Sequence, residues 1–482
     1  GGTFTGGTGT HTWGSANLQA STTLTSGTTT INGVGGGHNY AFWADNNFTH
    51  NSGTVAFTRN GDQKFGESGS DAPTRTFNNL TVNKAGGELT WETDNPFACV
   101  VAGNLTITAG ELDTGPNNVA LTVTGDITNS GTLTSNNSAI SSRKLISTGT
   151  LSGGGSVYTV TGAGLGNTVR TVDLGGTVSG NVDVTLTGAG NNRHEDLQAS
   201  GNIRNLTINN AAAVVHLGRD TTLDGALIIT AGTPTWTIAT QGLSCAGSLI
   251  LTDGTLDTGS NYNLTVNDDE TDIQAAGTLT GNASAISLKA LTIRDGGTYN
   301  GTSGTTTITG EHGGYAWSNQ ETDGTGYVHN KGLVKIAPST DIGNTLVTED
   351  TFYDLEYDMD GSTDIIGFNP PSGTITILNN VTGTTGKFCV EGAGDHITVH
   401  GIVHITSNSW FGGEDGGANQ TGNCTLNHVL LDGGFFVGTN ADTLTVQSFR
   451  RISGTIYENG ATLNIVGTGG VLEGDLETFP VN

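Results

Sequence analysis

The chain has 482 residues, with 17 Lys and Arg against 44 Asp and Glu, a net charge of −27 and a pI near 4.4. That balance argues against nucleic acid, anionic membrane surfaces and polyphosphates as partners. Gly fills 77 positions while only 13% of residues are charged and Met occurs once, so helix formers are scarce and turns abundant; no run of 18 apolar residues exists, and no membrane span is predicted.

The chain opens on Gly1-Gly-Thr rather than Met, so its numbering is expected to start after a cleavage or inside a longer product. From residue 26 onward the apolar residues alternate with Thr, Ser and Asn, the two-residue period of a strand with one buried face. Ser26-Gly-Thr-Thr-Thr-Ile-Asn-Gly33 returns as Ser303-Gly-Thr-Thr-Thr-Ile-Thr-Gly310. Each copy is followed by an aromatic group, Tyr40-Ala-Phe42-Trp43 and Tyr315-Ala-Trp317, and then by Phe48-Thr-His-Asn-Ser-Gly-Thr-Val55 or Tyr327-Val-His-Asn-Lys-Gly-Leu-Val334. The tetrapeptide Asn-Leu-Thr-[Val/Ile] begins at Asn79, Asn104, Asn205 and Asn263. It sets Leu80 and Val82, Leu105 and Ile107, Leu206 and Ile208, and Leu264 and Val266 on the inward side of four predicted strands. Gly110-Glu-Leu-Asp-Thr-Gly115 is echoed by Gly254-Thr-Leu-Asp-Thr-Gly259. Gly131-Thr-Leu-Thr-Ser-Asn-Asn-Ser-Ala-Ile-Ser141 matches residues 277–287 at nine of eleven places, 146 residues on.

Aligning Ile31, Val160 and Ile308, and then Leu80, Leu206 and Leu355, gives three degenerate super-repeats over 26–158, 159–302 and 303–410. Residues 1–25 form a lead-in. Residues 411–482, opening with Phe411 and Gly412-Gly-Glu-Asp-Gly-Gly-Ala-Asn419, match no block and read as a capping or attachment module, which a stack of strands needs at an open edge. Between Leu105 and Ile140 the apolar centres fall every six to nine residues with Gly, Asn or Asp-Thr-Gly between them. Two architectures accommodate this, a chain of β-sandwiches or a coil of stacked strands. Asn and Gly at nearly every corner favour the coil, because both enter left-handed backbone cheaply. The expected fold is an all-β, elongated β-solenoid (β-helix) around a thin column of Leu, Val and Ile, on the order of 100 Å long at about 4.8 Å per rung.

Chemistry-bearing residues are few. The groups His38-Asn-Tyr40-Ala-Phe42-Trp43 and His312-Gly-Gly-Tyr315-Ala-Trp317 make Tyr40, Trp43, Tyr315 and Trp317 candidate glycan or inter-subunit contacts, against the reading that their rings plug the coil. Cys99, Cys245, Cys389 and Cys424 lack Cys-x-x-Cys spacing and read as buried core thiols, with a Cys389–Cys424 bridge left open. Gly66-Glu-Ser-Gly69 and the glycines between 149 and 155 do not have the context of a nucleophile elbow. His396, His400 and His404 sit in alternating sequence, which puts His400 and His404 together on a solvent-facing side rather than on a metal-binding helix. Asp354, Asp358, Asp360 and Asp364 cluster in sequence. Asp358-Met-Asp360-Gly361-Ser-Thr-Asp364 has the oxygen spacing of a calcium loop but no closing Glu, so it reads as a solvated acidic turn; no catalytic residue, metal or other cofactor is expected.

The blocks Phe48-Thr-His-Asn-Ser-Gly-Thr-Val-Ala-Phe57, Phe77-Asn-Asn-Leu-Thr-Val82, Leu105-Thr-Ile-Thr-Ala-Gly-Glu-Leu-Asp-Thr-Gly115 and Leu121-Thr-Val-Thr-Gly-Asp126 resemble the Gly- and Thr-rich repeats of large structural proteins of tailed bacteriophages, marine ones especially. The resemblance covers roughly residues 26 to 410, and related repeats occur in secreted bacterial adhesins. It implies a virion or extracellular β-rich shaft and carries no catalytic residue onto this chain. The expectation is a non-enzymatic virion structural protein (fibre, spike or capsid decoration) that self-associates and meets other virion proteins and a host-surface glycan. The alternatives are a secreted or cell-surface adhesin or matrix filament, and a polysaccharide-degrading β-helix enzyme.

Overall fold

The computed structural model describes residues 3–473 apart from 19–20, 36–38, 45–47, 67–73, 93–96, 163–168, 189–191, 195–201, 218–219, 237–241, 260, 322–324, 340–345, 362–363, 369–372, 391–394, 413–422, 438–442, 458–461 and 467–471. Among the described residues every element is a strand and no helix occurs. The chain divides into two compact units, Gly1–Ile238 and Ala239–Asn482. Each is a three-sided β-solenoid built from parallel ladders.

In the first unit one face is the column Thr29, Val55, Leu80, Leu105, Ile127, Leu145 and Val172, each residue in register with the next. A second face carries Leu89, Leu112, Leu133, Leu151 and Val178. The third carries Cys99, Leu121, Ile140, Tyr158, Val184 and Leu206. In the second unit a single ladder runs through Leu243, Leu264, Ile286, Thr306, Val334, Leu355, Val381, Val403, Val429 and Phe449. The alternation seen in sequence is the alternation of burial. In the strand Leu105–Asp113, Leu105, Ile107 and Leu112 are inaccessible to solvent, while Thr81, Thr106 and Thr128 stack outward on the adjoining laps. Leu80, Val82, Leu206, Ile208, Leu264 and Val266 also face the interior.

Three of the four tetrapeptide Asn residues close one lap on the next. Asn79 Oδ1 accepts the backbone N–H of Asn104, Asn104 Oδ1 that of Asp126, and Asn205 Oδ1 that of Ala226, at 2.9, 2.9 and 2.8 Å. The carboxamide thereby satisfies a corner donor that no strand partner reaches. A glycine must sit opposite. A Cβ at Gly103, Gly125 or Gly225 would stand 2.3 Å from the Oδ1 of Asn79, Asn104 or Asn205.

Two expectations need correction. The interior is not a column of Leu, Val and Ile alone. Phe42, Phe57, Phe65, Phe77, Trp91 and Phe97 are buried together in the first unit, and Tyr299, Trp317, Tyr327 and Phe352 in the second. Lap length contributes, with 25 residues from Leu80 to Leu105 and 28 from Thr306 to Val334 against 18 from Ile127 to Leu145, because rings can fill a wider cross-section at interior density. Length alone does not call for rings, since the 27-residue lap from Leu145 to Val172 has no ring cluster among the described residues. Moreover, Leu80 and Leu206 occupy different faces of the first unit, so the same tetrapeptide serves more than one side of the coil.

Candidate functional site

The first unit carries an open groove of about 780 Å³, lined by Asp62, Glu88, Glu111, Thr132 and Thr150 together with stacked glycines. Its floor follows from a short repeat at lap spacing: Gly87-Glu-Leu-Thr90, Gly110-Glu-Leu-Asp113, Gly131-Thr-Leu-Thr134 and Gly149-Thr-Leu-Ser152. The Leu of each points inward. The Gly lies against the lap before it so closely that a Cβ at Gly131 or Gly149 would stand 2.4 or 2.0 Å from the carbonyl oxygen of Gly110 or Gly131. With no side chains there, the corner stays hollow, and the second residues of the repeat, Glu88, Glu111, Thr132 and Thr150, stack in register along its wall.

Glu88, Glu111 and Asp113 can each bring a carboxylate oxygen within 4.8 Å of the others. Asp113 is fixed by its own turn, accepting from the Gly115 backbone N–H and from Asn136 Nδ2, both at 2.7 Å. Glu111 accepts from Thr134 Oγ1 at 2.5 Å, and Asp62 accepts from the Glu88 backbone N–H at 3.3 Å. Burial pushes the Glu88 carboxyl above its ordinary range, aided by the charges of Asp113, Asp62 and Glu111 and opposed by Lys64. These are three closely spaced carboxylates, two of them held by hydrogen bonds, with the third, Glu88, readier than usual to hold a proton. Glu111 and Asp113 stood out in the sequence only as part of the Gly110–Gly115 echo and Glu88 not at all, because Glu88 and Glu111 are 23 residues apart. The signal was present in the recurring Gly-[Glu/Thr]-Leu.

The turn at Asp113 has a counterpart in the second unit. Asp257 accepts from the Gly259 N–H and from Asn282 Nδ2 at 2.8 and 2.7 Å. Asn136 and Asn282 both take left-handed backbone, at φ 47° and 48°. The Asp-Thr-Gly echo is thus a corner clamp. Thr255 stands where the first unit has Glu111, so the clamp needs no second acid.

The sequence candidates are dispersed. Tyr40 and Trp43 form an edge-to-face pair with centroids 4.4 Å apart, and Gly66 lies under the Trp43 ring. Tyr315 is 43% exposed on a two-residue hairpin closed by mutual backbone bonds with His312. Trp317 is buried, and its Nε1 donates to Asp350 at 2.8 Å. His38, Glu67, Ser68, Gly69, Pro370, Pro371 and residues 413–419 of the C-terminal module lie outside the described residues. His400 is exposed, but His404 is half-buried with its Nε2 enclosed. The strand His396–Gly412 leads from one face of the coil to the next between them, so they do not share an open surface. All four cysteines are buried thiols, with burial raising Cys99 and Cys424 to about 12. Cys389 and Cys424 are in register with Gly412 and Ile397, and no bridge joins them.

The Asp cluster divides its duties. Asp354 caps the Asn380 backbone N–H at 2.9 Å, Asp358 pairs with Lys335 at 2.6 Å, and Asp364 accepts from the Gly361 N–H at 2.8 Å. No protein-family model, curated protein or solved structure matches this chain.

Proposed function

We propose that the protein is a non-enzymatic structural component of a tailed-phage virion, a fibre, spike or capsid decoration whose solenoid units serve as shaft. The observation that carries this reading is the uninterrupted ladder from Leu243 to Phe449, in which most side chains either fill the column or fasten one lap to the next. A chain so committed presents repeated Thr, Asn and acidic surface to its surroundings, which suits self-association and contact with other virion proteins or a host glycan more than turnover. Immunogold electron microscopy of intact particles tests it: label on capsid or tail supports the proposal, whereas label on a bacterial surface in a culture without phage replaces it with an adhesin or matrix filament.

The acidic groove favours a second reading, action on a polysaccharide. Here the Glu88 carboxyl donates its proton to a glycosidic oxygen while Glu111 or Asp113 stabilises the positive charge developing on the sugar. Release of reducing ends from host glycan, abolished in Glu88→Gln with the fold intact, would establish that reading.

A further inference from the structure

Beneath the first unit's groove, inside the coil, runs a polar thread that the packing of aliphatic side chains does not require. Lys84 is fully buried, as is Gln63 on the preceding lap. Lys84 Nζ donates to the backbone oxygen of Gly61 at 2.7 Å and to Gln63 Oε1 at 2.9 Å. Gln63 Nε2 in turn donates to the oxygens of Gly33 and Ile31, at 2.9 and 3.4 Å. The amine meets two carbonyl oxygens and, among the described residues, no carboxylate. A buried ammonium held that way loses its hydration with no carboxylate in contact to offset the loss, so it gives up its proton more readily than a lysine in water. Desolvation brings Lys84 down to about 8, with the charge of Asp62 opposing the shift.

We propose that Lys84 and Gln63 form an intramolecular isopeptide cross-link between adjacent laps. The neutral Nζ attacks Gln63 Cδ, which for an ordinary carbonyl acceptor angle lies about 3.7 Å from a nitrogen hydrogen-bonded to Oε1. The C–Nε2 bond then breaks, and Nε2 departs as ammonia carrying one of the two protons of the attacking amine. The product is a secondary amide joining the two side chains, with no oxidant or reductant consumed. The carbonyls of Gly33 and Ile31 hold the carboxamide still, and the surrounding coil holds the amine against it. Held so close, the two groups react as an intramolecular pair once the Lys84 amine turns its lone pair from the hydrogen-bonded pose toward Cδ and closes to about 3–3.5 Å.

The test is the mass of the whole purified chain under denaturing conditions, before and after incubation at about pH 9. The expected result is a species about 17 Da below the sequence mass, growing with time, with peptide mapping placing the loss in a linked pair containing Gln63 and Lys84. Lys84→Arg, which retains a buried donor but no nucleophilic amine, is expected to keep its full mass. A folded wild-type chain that retains the full sequence mass throughout overturns the proposal, and so does a 17 Da loss that mapping places at an Asn or that persists in Lys84→Arg.

Discussion

The corner Asn and the glycine facing it act as one device, since each is intelligible only through the other. In Gly125→Ala the new Cβ would press on Asn104 Oδ1 at 2.3 Å and on the Gly103 backbone oxygen at 2.5 Å. The lap must shift or the Asn104 cap must break, and we expect a loss of about 1–3 kcal/mol in denaturant unfolding. Stability unchanged within about 0.5 kcal/mol would show that the corner yields without strain. Glu88 offers a test with a definite sign. Its carboxyl is raised in the fold, so the stability it contributes is complete below the ordinary Glu value and is lost as pH rises through the raised one. Glu88→Gln should therefore melt higher than the wild type at pH 7, by less than about 1 kcal/mol because the group is partly solvated, and the two should converge near pH 4. A variant less stable at pH 7 would mean that Glu88 is held by a favourable partner.

Among the strands, the inward residues act through neighbouring laps. Leu105 is in register with Leu80 and Ile127, and truncation to Ala should cost about 2–5 kcal/mol. Hydrogen exchange is the discriminating readout: protection should fall at the laps of Leu80 and Ile127 and stay high around Leu206. A uniform loss over the first unit would show global rather than neighbour-to-neighbour cooperativity. This level of organisation was largely legible in the sequence. Leu105, Ile107 and Leu112 are buried where two-residue alternation puts them, and Asn79, Asn104 and Asn205 sit at corners where backbone chemistry wants them. The assignment of strands to faces was not legible, because laps vary from as few as 18 to as many as 29 residues and the same tetrapeptide serves different sides. The groove was hidden for the same reason: Glu88 and Glu111 become neighbours only once the coil is wound. Trp317 shows the converse limit, since its sequence context gave no sign that Asp350 waits inside to accept its N–H.

At the scale of the whole chain, a charge of −27 sets like charges against one another over much of the surface. Lap-to-lap pairs such as Asp126–Arg143, Asp183–Arg204 and Asp272–Arg294 oppose this locally. Their arginines are exposed enough that each contributes about 0–1 kcal/mol. The net repulsion should dominate, so the melting temperature should rise as NaCl goes from about 0.01 to 0.3 M. A fall would mean that the pairs outweigh the background.

Parallel registration has a further result for how such a chain changes over generations. Each lap offers above it the same edge that it received from below, so a duplicated segment of one circuit, such as 105–126, would slot in without altering the strands on either side. The later laps of the first unit would move outward by about 4.8 Å. Reach, in a protein built this way, is counted in whole steps by the gene.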